Sequence, residues 1–278
     1  MIELIKLNPA NNVVASGVAN IDLSNLLGYS IEKIFLQLGG TALTKAMLTS
    51  IQLKANGKII LDTDGSKLDA RLSYRPRTAD ATMLEIDFLE NLAKSKLGML
   101  GGSLDTTLGI KNLRLEITIA GATAPTLAGY AEVARPQVGP EFAQLRPLIA
   151  RVHRVTQTIG AAGTFPLAVP HMDPVSGGSI FKRLAIFSAN MTAAQVIRNG
   201  IIEHDSVKAI NEYRQKIYGR TPQASLYMID SMVDGLQEDR VFDTRPASGC
   251  TTAQLMGTFS GAETITIEVE TLEPLDVY

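Results

Sequence analysis

The stretch TSIQLKANGKIILD, residues 49–62, returns 143 residues later as TAAQVIRNGIIEHD, residues 192–205. Both copies carry Asn-Gly in the middle, Asn56-Gly57 and Asn199-Gly200, and both end on aspartate, Asp62 and Asp205. Extended without a gap, the frame sets residues 49–90 against 192–233 with twelve identities in 42 pairs. These include Arg71/Arg214, Arg77/Arg220, Thr78/Thr221, Ile86/Ile229 and Asp87/Asp230. Shared composition would scatter Ile and Thr matches; it would not align Asn-Gly, Arg-Thr and Ile-Asp in one frame. The chain therefore reads as a tandem duplication. Outside the block the offset drifts: SIEK (30–33) matches SIFK (179–182) at 149, and ITI (117–119) matches ITI (265–267) at 148.

Working outward, each Asn-Gly sits between two short apolar runs, which is the signature of a tight hairpin. Similar runs recur along the chain: KIFLQL, TMLEIDFLE, LRLEITIAG, RLAIFSAN, SLYMIDSMV and ETITIEVETL. Their alternation predicts half-buried strands. Gly39-Gly40, Asp64-Gly65, Gly101-Gly102 and Gly177-Gly178 punctuate them as turns. Helical spacing appears in FLENLAKSKLGML (88–100) and in DSVKAINEYRQKIYG (205–219), each stopped by glycine. The connector ARPQVGPEFAQLRP holds Pro136, Pro140 and Pro147 and reads as a linker. The expected organisation is a first domain at 1–135, a linker at 136–147 and a second domain at 148–278. About 130 residues of mostly strand per copy suit a jelly roll. The fold class expected is mainly β: a tandem double jelly roll, two eight-stranded antiparallel β-sandwiches with one or two short helices.

The 278 residues carry a net charge of −2, and no basic surplus for binding a polyanion. The tightest basic cluster, Arg71, Arg75 and Arg77, reads as a solvated sheet face. One cysteine, Cys250, excludes an intrachain disulfide and fits synthesis in a reducing cytoplasm. The N-terminal MIELIKLNPANN lacks the apolar core of a signal peptide, and no run is long enough for a membrane-spanning helix. Tryptophan is absent and aromatics are 5% of residues, which counts against the stacking platforms of sugar- and single-strand-binding modules.

Chemical motifs are sparse. Asp62, Asp64 and Asp69 surround Gly65 and form the one candidate oxygen-ligand metal site. The spacing lacks the distal glutamate of a calcium loop. His153, His171 and His204 stand at no metal-ligand spacing, so a jelly-roll metalloenzyme is disfavoured and each histidine reads as surface or interface packing. No nucleophile elbow occurs, Cys250 has no activating neighbour, and the glycine pairs fit no phosphate-binding loop. The expectation is no catalytic residue, no cofactor-binding residue and no enzyme.

The tandem halves, the order IEKIFLQL…IQLKANGKIIL, the segment LAKSKLGMLGG before NLRLEITIAGATAPTLAGYAEV, and the restart at ARVHRVTQTIGAAGTFPLAVP and GGSIFKRLAIFSAN resemble the major capsid proteins of the double jelly-roll virus lineage. The look is nearest to the coat proteins of corticovirus-like tailless icosahedral bacteriophages. The resemblance implies a structural protein of the virion, made in the host cytoplasm. It implies homotrimeric, pseudo-hexagonal capsomers that tile an icosahedral shell. Its partners would be other copies of itself, then vertex (penton) and minor capsid proteins, with an underlying viral membrane in some members and no sequence-specific nucleic acid. Some members bind calcium near trimer contacts, which assigns no residue here. The termini, MIELIKLNPANN and LEPLDVY, are candidate arms to neighbouring subunits. A receptor-binding or lectin-like β-sandwich is the alternative reading.

Overall fold

The computed structural model describes residues 3–77, 80–95, 98–99, 101–136, 148–236 and 241–274. The chain forms two compact units. One comprises Met1–Leu72, Arg77–Arg151 and Glu273–Tyr278, the other Ser73–Pro76 and Val152–Leu272. Of the expected linker, residues 137–147 lie outside the described residues.

The first unit contains β1 (Glu3–Lys6), β2 (Gly17–Asp22), β3 (Ser30–Thr41), β4 (Leu48–Ala55), β5 (Lys58–Thr63), β6 (Met83–Asp87), the two-residue β7 (Leu104–Asp105), β8 (Leu113–Ile119) and β9 (Ala124–Ala134). Helix α1 (Gly65–Tyr74) joins β5 to β6. One sheet runs β1-β9-β3-β6 with β7 beside β3, and the other runs β2-β8-β4-β5. The inward residues follow the two-residue period of strands. In β8, Leu113, Leu115, Ile117 and Ile119 are buried and Arg114 is exposed; in β4, Leu48, Ile51, Leu53 and Ala55 are buried.

The second unit repeats this plan. It is built from β10 (Leu148–Ile159), β11 (Gly163–Leu167), β12 (Ile180–Phe187), β13 (Met191–Arg198), β14 (Ile201–Val207), β15 (Leu226–Asp230), the two-residue β16 (Phe242–Asp243), β17 (Ala253–Phe259) and β18 (Glu263–Pro274). Helix α2 (Lys208–Ile217) joins β14 to β15. Its sheets run β10-β18-β12-β15, with β16 beside β12, and β11-β17-β13-β14. Strand for strand, these are the orders of the first unit. Each copy therefore has eight longer antiparallel strands plus one two-residue strand, and the chain is mainly β, a double jelly roll. The second core gathers Phe181, Leu184, Ile186, Tyr227, Ile229, Leu255, Ile265 and Ile267 between its sheets.

The 143-residue frame holds for a whole β-β-α-β run: β4, β5, α1 and β6 match β13, β14, α2 and β15. Helix α1 and helix α2 correspond residue for residue. Asp64-Gly65, read as a turn, is the start of α1: the Asp64 Oδ1 accepts the Lys67 amide at 2.9 Å. Caps and turns use the same residues because both need a side-chain acceptor for a free amide.

Four other sequence expectations change. Residues 88–95 of the expected helix 88–100 are turns and irregular chain, with Gly98 and Met99 helical and 96, 97 and 100 outside the described residues. The Phe88 amide continues the ladder to the Glu32 carbonyl, and Asp87 accepts the Leu89 amide at 2.9 Å, which ties this backbone away from a helix. The SIEK/SIFK match is one residue out of register. Both β3 and β12 carry a bulge, between Ile31 and Lys33 and between Phe181 and Arg183, and Lys33 opposite Asp87 corresponds to Arg183 opposite Asp230. The two ITI segments lie on strands that do not correspond, β8 and β18. Finally, the N-terminal stretch is no free arm from Glu3 on. Residues Glu3–Lys6 pair with β9, and Leu7 is buried. At the other end Leu272 and Glu273 are buried, and residues 275–278 lie outside the described residues.

Candidate assembly surfaces

Helix α2 packs the wrong way round for an amphipathic helix. Its buried residues are polar: Asn211 and Gln215, one turn apart, each donate a side-chain N–H to the Met228 carbonyl at 2.8 Å. Its apolar side chains, Ile210, Tyr213 and Ile217, share the opposite face at i, i+3 and i+7 and are exposed. Ile201, Ile202 and Val207 of the neighbouring β14 are exposed as well. The corresponding positions of α1 tell the opposite story: Leu68 and Leu72, the counterparts of Asn211 and Gln215, are buried leucines. Adjacent exposed apolar residues of this number make this face a candidate interaction surface.

On the outer face of β12 and β15, the second unit buries charge. The Arg183 Nε lies 3.1 Å from Asp230 Oδ1 and its Nη1 3.0 Å from Glu270 Oε2. Arg220 Nε lies 3.5 Å from Asp230 Oδ2, and Arg75 Nη2 3.3 Å from Glu270 Oε2. The Tyr74 hydroxyl donates to Asp230 Oδ2 at 3.1 Å, and its ring packs with Ala185, Leu226 and Met228. Burial, then the charge of Asp230, push the Tyr74 phenol far above its ordinary range, so it stays a donor. RLAIFSAN and ETITIEVETL thus do not form half-buried strands: β12 and most of β18 are buried on both faces, with Glu268 and Glu270 inside.

The Arg71, Arg75 and Arg77 cluster is not a solvated sheet face. Arg71 is buried near the end of α1, Arg75 meets Glu270, and Arg77 pairs with Asp69 and Glu85. The aspartates of the candidate metal site sit on β5, at the start of α1 and within α1. Asp62 lies on β5 opposite Gln52. Asp64 caps α1 and pairs with Lys67. Asp69 binds Lys45 at 2.7 Å and also Arg77. Two of these three carboxylates, Asp64 and Asp69, are thus already engaged by cationic side chains. Among the described residues no group of three or more His, Cys, Asp or Glu is placed to hold a metal. His153 and His171 bring their rings to 4.4 Å, a contact their sequence spacing gave no sign of. Cys250 is buried, and burial pushes its thiol up, the direction of an unreactive cysteine.

His204 lines a cavity of about 340 Å³ in the second unit, together with the apolar Phe181, Leu184 and Phe242 and the charged Arg198, Glu203 and Arg214. Its Nε2 is buried without a hydrogen-bond partner. Burial first, and the Arg214 charge second, hold the imidazole below its ordinary value near 6.5; Asp205 opposes them. Below that value the folded state binds fewer protons than the unfolded one, so this contribution to stability is lost as the pH falls. We expect the denaturation midpoint to drop from about pH 7 to about pH 5, and His204→Gln to flatten that slope. An identical slope in the variant would rule the histidine out.

Two family models account for nearly all of the described chain. "Viral coat protein P2 N-terminal domain" matches residues 4–134, and "Viral coat protein P2 C-terminal domain" matches residues 149–275. The chain belongs to the P2 family of viral coat proteins. It is a structural coat protein and not an enzyme. Solved structures agree on the fold. The major capsid protein P2 from Bacteriophage PM2 gives a TM-score of 0.81 at 19% identity, covering 99% of this chain and 98% of that one. The STIV MCP gives 0.72 at 14%, covering 99% and 97%. PBCV-1 VP54, fitted into a reconstruction of the virophage Sputnik, gives 0.63 at 12%, covering 98% and 93%. No curated protein sequence matches. Among the described residues no helix is long and apolar enough to cross a membrane.

Proposed function

We propose that this coat protein works as a homotrimeric capsomer of pseudo-hexagonal outline, tiled with others into the icosahedral shell of a virion and made in the host cytoplasm. The observation that carries the reading is the strand-for-strand repetition of one jelly roll in a single P2-family chain. Two like units per chain, repeated around a three-fold axis, give a ring of six similar units. The outward apolar face of α2 supplies side surface for such contacts. Trimers would then meet other trimers through weaker contacts, with other capsid proteins at the vertices. Light scattering tests the first step: a particle of about 90 kDa, three times the 29.9 kDa chain, with a hexagonal outline by electron microscopy. A chain that stays single at every concentration tried overturns the reading.

A further inference from the structure

The repeat leaves one contact made and its twin unmade. The second unit includes the last two residues of the first copy's helix and the two that follow, Ser73–Pro76. There Tyr74, 1% exposed, packs with Ala185, Leu226 and Met228. The 143-residue frame puts Ile217 at the position of Tyr74 and Tyr218 at that of Arg75. Ile217 is 63% exposed and Tyr218 45%. The receiving surface also has a twin. In the second unit Ala185 pairs with Met228 and Phe187 with Leu226; in the first, Phe35 pairs with Glu85 and Gln37 with Met83 at the same register. Leu226 is 2% exposed, whereas Met83 is 38% exposed.

We infer that the end of α2 and the two residues after it, 216–219, dock on the first unit of a second copy of this chain, with Ile217 and Tyr218 against Phe35 and Met83. This rests on the capsomer reading and deepens it by naming the surfaces. Glu85, at the position of Met228, makes the receiving surface more polar than its twin, but Lys33 neutralises it at 3.1 Å. Such a contact is head-to-tail: the surface offered differs from the surface received. A head-to-tail contact either closes into a ring or runs on as a filament. With two alternating units per chain, closure after three chains reproduces one kind of contact six times.

The test uses the full chain and sedimentation over a range of concentrations. Ile217 and Met83 are exposed, so neither substitution disturbs the fold of a single chain, which circular dichroism checks. Ile217→Lys is expected to raise the concentration of half-dissociation by about 30-fold or more, the loss of one interface hot spot. Ile217→Lys with Met83→Glu is expected to recover most of it, because the new charges face each other only if these surfaces meet. A wild-type trimer that Ile217→Lys leaves intact overturns the inference. A dissociated variant that Met83→Glu fails to rescue overturns the receiving surface named here. A wild-type chain that never assembles overturns the capsomer reading instead, which separates the two failures.

Discussion

Asp230→Ala is expected to destabilise the second unit by about 3–5 kcal/mol, the cost of removing one partner from a buried ionic cluster. Asp230 ends β15 opposite Arg183, and both side chains are 1% exposed. The carboxylate serves Arg183, Arg220 and the Tyr74 hydroxyl together, and it accepts the Met232 amide at 3.0 Å. Removing it leaves two buried guanidinium groups to share less negative charge, and Glu270 is already engaged by Arg183 and Arg75. Desolvating a cation costs more than one lost hydrogen bond, so the charge dominates the result. Asp230→Asn keeps the shape but only one acceptor oxygen, for the Met232 amide on Oδ1 or the Tyr74 hydroxyl on Oδ2, so it should recover only part of the smaller, hydrogen-bonding share. Urea denaturation with the slope held constant measures both. A loss below about 1 kcal/mol in Asp230→Ala, the ordinary worth of a single hydrogen bond, would mean the cluster does not depend on this carboxylate.

The cluster also marks where sequence reading stops. The repeat frame placed Asp87 and Asp230 together, and alternation located β12 and β18, but alternation predicts one face in water. Burial on both faces depends on what covers the sheet, and the cover of Ala185, Leu226 and Met228 comes from Tyr74, more than a hundred residues earlier. Helix α2 shows the same limit. Periodicity identifies Ile210, Tyr213 and Ile217 as sharing a face, yet it does not say whether that face points in. The amides of Asn211 and Gln215 won the inner side because the Met228 carbonyl there accepts from both. Helix α1 was legible in principle. The 143-residue frame carries the helical segment at 208–217 back onto 65–74, but Asp64-Gly65 has the composition of a turn. The carboxylates of the candidate site were visible, and their partners Lys45 and Arg77 were not, since Lys45 lies 24 residues from Asp69.

Asn199→Ala is expected to cost about 2–3 kcal/mol, from one strained backbone position and four lost hydrogen bonds, one of them from the Thr251 hydroxyl. Asn199 and Gly200 turn β13 into β14 with φ of 51° and 77°, both left-handed, which is the demand of a type I′ hairpin. Asparagine enters that region more readily than alanine because its short side chain bonds locally. Here it also bonds further off: its Nδ2 donates to the Gly249 carbonyl at 3.0 Å, and its Oδ1 accepts the amides of Thr251 at 2.8 Å and Thr252 at 3.2 Å. The hairpin thereby fixes the loop that leads into β17. The first copy repeats the device: φ is 51° and 81° at Asn56 and Gly57, Nδ2 donates to the Gly109 carbonyl, and Oδ1 accepts the amides of Lys111 and Asn112. Asn56→Ala should therefore cost the first unit a similar amount. Asn199→Gly separates the two causes, because glycine tolerates the backbone and makes none of the bonds. If Asn199→Gly is as stable as the wild type in urea, the identity of this residue across the repeat reflects the turn alone; a loss of about 1–2 kcal/mol shows that the clamp on the following loop is what both copies have kept.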